Sequence, residues 1–453
     1  MRVLNGLRES SLLARTAQTF ASLFGVMGIS VFSAIILSRG LTPDDRGLYL
    51  GITMWNGFVL GLCDVGIYIA TVYMWGKSQD GEKKDLFATL LTWSGGTGLV
   101  VAVLVTLITE WTVKGHLTDR ESWAAYLFYA STFTGPITSM LSGVLAAQQR
   151  FTLINVIRVG LPLTLTVLWL FYYSFGTLSI YLCLLTATIV AFSATLPYLW
   201  QSRAYLRNLG RFRKDLFKAS VWYSFKAYGG AVMNVLGGSG TQIFLFSLTP
   251  AALAFYQTAA SATGVLWAIP RAVGMTSFPN MVQEERSLLH EKVCKMFRLT
   301  ALSTVIGAVL LGLAEPMLIP VLFGNPYGAA IIPALILLPN ALFGGLSDML
   351  GNALNSVGRT LHNTVASAVL VGVTLGSMAF TIQAWGINGA AFSSVMGFLA
   401  GFIVRIIWYA KSIQRILIPD LIPKQADVRE LYGLGLRFAG KPKKVRLDAN
   451  RAN

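Results

Sequence analysis

Charged residues are scarce in this chain. Asp, Glu, Lys and Arg make up 12% of its 453 residues, against roughly 25% in soluble domains. Hydrophobic residues reach 54% and the mean hydropathy is +0.61, which together exclude an ordinary soluble enzyme. The apolar residues form twelve runs, each long enough to cross a ~30 Å hydrocarbon layer as a helix. The runs are 17–38, 48–75, 86–110, 122–147, 153–174, 178–200, 219–247, 251–281, 299–323, 327–354, 361–384 and 388–410. We therefore predict an all-α polytopic membrane protein with about twelve transmembrane helices.

The chain also lacks the residues of common catalytic and metal sites. It has three cysteines and three histidines, too few for a disulfide framework, and His116, His290 and His362 lack metal-ligand spacing. It contains no Walker loop for ATP, and its acidic residues are scattered. The predicted outer connectors are short, which argues against a membrane glycosyltransferase, polymerase or ligase. We predict a protein that is not an enzyme and needs no metal or cofactor.

The positive charge is distributed as a membrane topology signal. The formal net charge is +16, and if the N-terminus is cytoplasmic, 28 of the 36 Lys and Arg residues fall in inner segments. Only Arg39, Arg46, Lys114 and Arg120 fall outside. This asymmetry predicts that both termini are cytoplasmic and that the number of spans is even. The partners of the basic segments are then membrane lipids rather than nucleic acid.

The second half of the sequence repeats features of the first. Leu41-Thr42-Pro43 returns as Leu248-Thr249-Pro250, and a weaker echo sets Gly143, Leu145 and Arg150 against Gly351, Leu354 and Arg359. Each echo joins runs six apart, so the halves enter the membrane in the same orientation, as parallel repeats. We predict an N-terminal six-helix bundle (1–201), a basic cytoplasmic linker (202–218), a C-terminal six-helix bundle (219–411) and a basic cytoplasmic tail (412–453). The connector 283–298 is either a short surface helix or a solvated linker.

Charged side chains inside the runs are candidates for function. Each costs at least ~2.5 to 3.5 kcal/mol at the centre of a bilayer, so such groups usually face the bundle interior or a water-filled cavity. Asp64 and Arg271 lie 207 residues apart, at equivalent points of the two repeats. They predict either a site in the lumen between the bundles or a buried ion pair that fixes helix packing. Lys226 lies about two turns into the seventh run.

The other charged groups near the runs favour structural roles. Arg158 and Arg405 lie near the inner ends of their helices, and Arg405 can extend to the cytoplasmic headgroups. Asp348 can pair with either arginine. Glu315, next to Pro316, is placed to reach the outer headgroups. Among the aromatic residues, Trp267 is one of several that can stack on a sugar or belong to the core.

The run LSRGLTPDDRGLY from Leu37 to Tyr49, followed by Asp64-Val65-Gly66, resembles the opening "R-x-L-x-P-x-x-x-G-x-Y … D-x-G" of polysaccharide-biosynthesis membrane proteins. These are the Wzx-type lipid-linked oligosaccharide flippases of the multidrug/oligosaccharidyl-lipid/polysaccharide exporter superfamily. NSVGR at 355–359 and WGINGAA at 385–391 agree with it. The resemblance implies two six-helix bundles around a central cavity that opens alternately to each side.

The resemblance also implies a substrate and its binding residues. A polyprenyl-pyrophosphate-linked oligosaccharide, an exopolysaccharide or O-antigen repeat unit, would move from the inner to the outer leaflet of a bacterial inner membrane. Family members place cations in the first and seventh helices. Here the seventh has Lys226, but the first has no charge between Arg15 and Arg39, which argues against a peptidoglycan precursor.

Lys226 and Arg271 are the predicted headgroup ligands, with Asp64 and Arg158 as further substrate-binding candidates. Polysaccharide polymerase and export proteins are the candidate protein partners. The rival interpretation is a cation-coupled drug exporter of the same superfamily, which would use buried acidic residues such as Asp64 and Asp348.

Overall fold

The computed structural model describes residues 2–64, 66–113, 115–271 and 286–413, nearly all of them helical. The first half contains α1 (Arg2–Gly40), α2 (Pro43–Cys63), α3 (Ile67–Lys77), α4 (Lys83–Val113), α5 (Asp119–Ser131), α6 (Thr134–Ala147), α7 (Phe151–Ser174), α8 (Ile180–Gln201) and α9 (Arg203–Arg207). The second contains α10 (Lys214–Leu248), α11 (Pro250–Thr263), α12 (Arg286–Phe323), α13 (Ile331–Ser356) and α14 (Thr360–Ser412). Two 3-10 segments, Gly264–Trp267 and Asn325–Ala330, adjoin α11 and α13.

The described residues contain nine helical stretches long and apolar enough to cross a membrane. The all-α polytopic membrane fold is therefore confirmed, whereas the layout of twelve helices in two repeats stays a prediction. One of the nine, 361–412, contains the last two predicted runs. The backbone of Gly386 has φ 54° and ψ −126°, which breaks this helix. Thr381 Oγ1 donates to the carbonyl of Gly389 (3.0 Å), so the chain folds back on itself there.

The stronger sequence echo has the same local structure in both halves. Thr42 accepts a hydrogen bond from the backbone N–H of Asp45 (3.2 Å), and Thr249 accepts one from Ala252 (3.1 Å). A proline follows each threonine at the first helical position, where its missing N–H costs nothing. Threonine at the N-cap and proline at the next position therefore start α2 and α11 in the same way.

The weaker echo also corresponds to a repeated turn. Gln149 (φ 59°) and Gly358 (φ 79°) adopt left-handed conformations. Arg150 and Arg359 follow them, and the N–H of each bonds the carbonyl five residues earlier at 2.9 Å. The two turns start α7 and α14. The parallel arrangement of whole halves stays a prediction.

The two halves touch at the end predicted to face outward. Arg39 at the end of α1 donates to the carbonyls of Val321 and Leu322 at the end of α12, with Nε 2.9 Å from the Leu322 oxygen. Gly47 of α2 packs directly on Pro250 of α11, where any Cβ would overlap the Pro250 carbonyl. Close helix approach at glycine is the usual means of packing in membranes. The motif from Leu37 to Tyr49 therefore forms a contact between the halves.

The halves also touch toward the opposite end. Tyr73 of α3 and Tyr223 of α10 stack with ring centres 3.8 Å apart and planes 7° apart. Ser224 donates to the carbonyl of Gly66 (3.1 Å), and Tyr228 donates to that of Gly61. Along α2, α3 and α10, both ends of the interface are closed in this structure.

The basic segment 202–218 is attached to the N-terminal half. The N–H of Arg211 donates to Asp85 Oδ1 (2.8 Å), and Arg213 pairs with Glu82 (3.2 Å) and Asp215 (2.5 Å). The Arg213 hydrogen bond lowers the pKa of Asp215 below its ordinary value. The helix α10 begins at Lys214, inside the segment predicted as a linker.

Two expectations for the region around α12 are wrong. From Arg286, the connector 283–298 is part of one 38-residue helix, and Val293 and Phe297 are buried, so it is neither a separate surface helix nor a solvated linker; residues 283–285 lie outside the described residues. Glu315 is fully buried instead of reaching the headgroups. It shares a helix face with the buried Ile319 and Phe323, four and eight residues on.

Candidate functional site

An apolar cleft lies between the two halves, where α1 faces the end of α11 and the 3-10 segment after it. Its volume is about 400 Å³. Its lining is Phe24, Val26, Met27, Gly28, Ser30 and Val31 from α1, with Ser261, Gly264, Val265 and Ala268 from the second half. Phe24 and Val265 are 38% and 55% exposed. The cleft therefore offers an apolar surface to a hydrocarbon chain.

A second cavity, of about 490 Å³, lies within the C-terminal half among α10, α11, α13 and α14. We call it the polar cavity. Its polar lining comprises Thr241, Gln242, Tyr256, Gln257, Ser347, Asp348, Ser367, Thr374, Ser394 and Arg405, beside the rings of Trp267 and Phe398. Asp348 is exposed to this space. Convergent polar groups in a concave site of this size are typical of ligand binding.

Arg271 lies where the cleft and the polar cavity adjoin. Its Nη1 is 3.5 Å from the sulfur of Met27, which lines the cleft. Its guanidinium carbon is 5.9 Å from the ring centre of Trp267, which lines the cavity. Asp348 is near enough to interact with the charge of Arg271. A fixed positive charge thus stands between an apolar and a polar compartment.

The position of Arg271 depends on two glycines of α13. Gly344 faces the Trp267 ring and Gly345 faces Pro270, and a Cβ on either glycine would overlap its neighbour. The chain before Arg271 can therefore approach α13 closely. Because Asp348 follows one turn after Gly344 and Gly345, this contact sets Arg271 beside the polar cavity.

Asp64 is not paired with Arg271 in this structure. Among the described residues its Oδ2 accepts a 3.4 Å hydrogen bond from Ser139, while its Oδ1 is buried without a partner. Arg271 contacts Met27 and Trp267 instead. The ion-pair hypothesis therefore has no support, and the structure does not bring the two residues together.

The other two predicted ligands lie elsewhere. Arg158 is exposed on α7 and donates to Asn155 Oδ1 (3.3 Å), which also accepts from Ser22 of α1 (3.4 Å). It lines neither the cleft nor the polar cavity. Lys226 lies in α10, but its side chain is outside what the structure describes.

Arg405 is the residue whose place the sequence misjudged. It is 6% exposed and does not extend to headgroups. Its Nε donates to Asn363 (2.7 Å), its Nη2 to Ser367 (3.0 Å) and its Nη1 to Ser347. A buried guanidinium needs such partners, and polar residues on α13 and α14 supply them. Asp348 interacts with its charge without a direct ion pair among the described residues.

Comparison with known proteins gives a family and a fold. The model of a family described as "Polysaccharide biosynthesis protein" matches residues 36–332. No curated protein sequence matches the chain. The lipid II flippase MurJ in an inward closed conformation is similar in structure, with a TM-score of 0.70 at 11% identity over 93% of this chain and 92% of that one.

Multidrug transporters are similar in structure as well. A MATE family transporter of the MOP superfamily, in an inward-facing conformation, gives 0.67 at 14% identity over 85% and 94%. The Vibrio cholerae MATE transporter VcmN gives 0.59 at 16% identity over 89% and 98%. At such identities the likeness shows the fold alone.

Proposed function

This chain belongs to the polysaccharide biosynthesis protein family, and from that premise we propose that it is a flippase for a polyprenyl-pyrophosphate-linked oligosaccharide. The substrate moves from the inner to the outer leaflet of the cytoplasmic membrane by alternating access. It is an exopolysaccharide or O-antigen repeat unit. The protein acts without catalysis and has both termini in the cytoplasm.

The position of Arg271 is the observation that carries the proposal. A lipid-linked oligosaccharide has an apolar tail, an anionic pyrophosphate and a polar sugar, in that order. The structure has an apolar cleft, a cation and a polar cavity in the same order. The tail binds in the cleft, the pyrophosphate at Arg271 and the sugars toward the polar cavity.

The cation has a clear physical task. A pyrophosphate cannot enter hydrocarbon without losing most of its hydration energy, and a fixed guanidinium offsets part of that cost. Lys226 is the proposed second cation, and Asp64 and Arg158 are the remaining proposed substrate contacts in the N-terminal half. An interior-negative membrane potential favours outward movement of the headgroup by ~2.3 kcal/mol per charge per 100 mV.

The test is complementation of a strain in which the gene is deleted. We expect Arg271→Gln to reduce polymer export roughly 10- to 100-fold, because a hydrogen bond to a charged group contributes about 1.5–3 kcal/mol. Lipid-linked precursor should accumulate at unchanged protein abundance. Lys226→Gln should act in the same direction. The matched control is Arg203→Gln, because Arg203 also stacks on a tryptophan, Trp200, at 4.7 Å.

Two further variants separate binding from packing. Arg271→Lys retains the charge and should restore part of the export. Adding Asp64→Asn to Arg271→Gln should restore neither export nor abundance, since the two side chains form no ion pair in this structure. Full export by Arg271→Gln at normal abundance would remove Arg271 from the site.

A cation-coupled drug exporter is the second candidate, favoured by the exposure of the Asp348 carboxylate to a cavity with an aromatic wall. The same deletion strain distinguishes the two. Loss of drug tolerance with normal polymer would establish the exporter, whereas loss of polymer with normal drug tolerance supports the flippase.

A further inference from the structure

The polar cavity contains more hydrogen-bonding groups than a pyrophosphate uses. Gln242 of α10 and Gln257 of α11 line it together with Asp348 of α13. Within the described part of the chain, the structure shows no hydrogen bond for any of these three side chains. Two amides supply donors and acceptors, and the carboxylate supplies acceptors. They suit a ligand that carries several hydroxyl or amide N–H groups.

The charges at the inner wall of this cavity balance. Arg405 offsets the charge of Asp348, but it is buried and three of its N–H groups are bonded to Ser347, Asn363 and Ser367. Asp348 is the more exposed of the two. A ligand therefore meets a carboxylate acceptor in a wall of no net charge, which favours a neutral ligand over an acidic one.

An aromatic wall completes the cavity. Trp267 lines it and lies 5.5 Å from Phe398, with the two rings tilted by 57°. A pyranose has apolar C–H groups on its ring faces and hydroxyls around its edge, so it fits an aromatic face bordered by hydrogen-bonding groups. Arg271 lies over the same Trp267 ring. A sugar attached to a pyrophosphate at Arg271 would begin beside Trp267.

We propose that the polar cavity binds the first sugar of the lipid-linked substrate, and that Asp348 selects a neutral sugar with hydroxyl or amide N–H donors over an acidic sugar. This inference rests on the proposed function, because it takes the pyrophosphate to bind at Arg271. Asp348 is a specificity-determining residue, and Gln242 and Gln257 supply the remaining polar contacts.

The test measures binding of three lipids to the purified full-length protein in nanodiscs. The probes are a polyprenyl pyrophosphate without sugar, the same lipid with N-acetylglucosamine, and the same lipid with glucuronic acid. We expect the N-acetylglucosamine lipid to bind at least tenfold more tightly than the other two. A site built around sugar hydroxyls discriminates strongly against a ligand that lacks them.

Variants assign the preference to Asp348. In Asp348→Ala, the N-acetylglucosamine lipid should bind no more tightly than the bare lipid. In Asp348→Asn, the glucuronic acid lipid should gain affinity, because the repulsion is gone while the shape is kept. Arg271→Gln should weaken all three lipids by a similar factor. The control Asp119→Asn changes an exposed carboxylate at the start of α5 and should leave all affinities unchanged.

The outcomes separate this inference from the proposed function. Equal binding of all three lipids by the unmodified protein, tighter binding of the acidic lipid, or a preference that persists in Asp348→Ala would overturn the inference and leave the flippase proposal standing. Absence of binding for every lipid would overturn both. If Asp348→Ala does not fold, as judged by thermal unfolding, the gain of the acidic lipid in Asp348→Asn decides.

Discussion

Arg46 of the N-terminal half donates a hydrogen bond from Nη1 to the hydroxyl of Thr258 in the C-terminal half, at 2.5 Å. The guanidinium carbon is also 5.2 Å from the ring centre of Tyr327, and the side chain is 1% exposed. A cation of one half is therefore buried in the other. Because a buried cation that loses its partners is costly, separating the halves at this end must break a strong contact.

We predict that Arg46→Gln favours opening at this end. The reporter is a cysteine at Phe246, which packs on Gly51 between the halves, in a chain whose native Cys63, Cys183 and Cys294 are replaced. An impermeant thiol reagent added outside should label it roughly tenfold faster or more in the Arg46→Gln variant, since a charged hydrogen bond contributes about 1.5–3 kcal/mol. Arg120→Gln is the control, because Arg120 stacks on Tyr181 within the first half. Equal labelling in all three backgrounds would show that Arg46 does not hold the halves together.

Gly47 provides a second prediction at the same contact. Gly47→Ala should abolish polymer export and leave the outer end open, because the added methyl group overlaps the carbonyl of Pro250. Gly57→Ala in the same helix is matched to it, since a Cβ there meets nothing within 4 Å. The helix-propensity gain of alanine over glycine, ~1 kcal/mol, is the same in both variants. Export by Gly47→Ala at the level of Gly57→Ala would contradict the tight contact.

Topology can be tested with cysteines at two exposed positions. Leu209→Cys in the basic linker should react only with reagents that reach the cytoplasm, and His116→Cys only with reagents outside. Neighbouring glycines are unsuitable, since Gly210 packs against Asp85 and Gly115 has a φ of 97°. The reverse pattern of labelling would overturn the assignment of both termini to the cytoplasm.

The sequence was a good guide to the helices because hydropathy is a local property. Each of the twelve apolar runs is largely or wholly helical where the structure describes it, and Thr42 and Thr249 start equivalent helices as the sequence echo suggested. Arg271 was found for a similar reason, since a charge in an apolar run is costly wherever it points. These features need no knowledge of neighbouring helices.

The polar cavity could not be found in this way. Gln242 and Gln257 carry no charge, so nothing in the apolar pattern marks them. The burial of Arg405 depends on Ser347, Asn363 and Ser367, which are 38 to 58 residues away in the sequence. Only the packing of α13 against α14 brings them together. Asp64 and Arg271 illustrate the opposite error, since their equivalent sequence positions did not make them neighbours.

Glu315 gives the last prediction. Its side chain is fully buried in α12, and neither carboxyl oxygen has a hydrogen-bond partner among the described residues. An ionised carboxylate without a partner could not be held there, because its desolvation costs several kcal/mol even after relaxation. The group must therefore be neutral in this structure, with a proton on one oxygen. Glu315→Gln has nearly the same shape and no charge, so it should accumulate normally and unfold at the temperature of the unmodified protein. Glu315→Leu removes buried polar atoms that cost about 1–3 kcal/mol when unsatisfied, and it should raise the unfolding temperature measured by size-exclusion chromatography of heated samples. The control is Glu121→Gln in an exposed capping box, where the expected change is small. If Glu315→Gln instead lowers protein abundance and unfolds at a much lower temperature, then Glu315 is ionised and paired, and the neutral carboxyl is wrong.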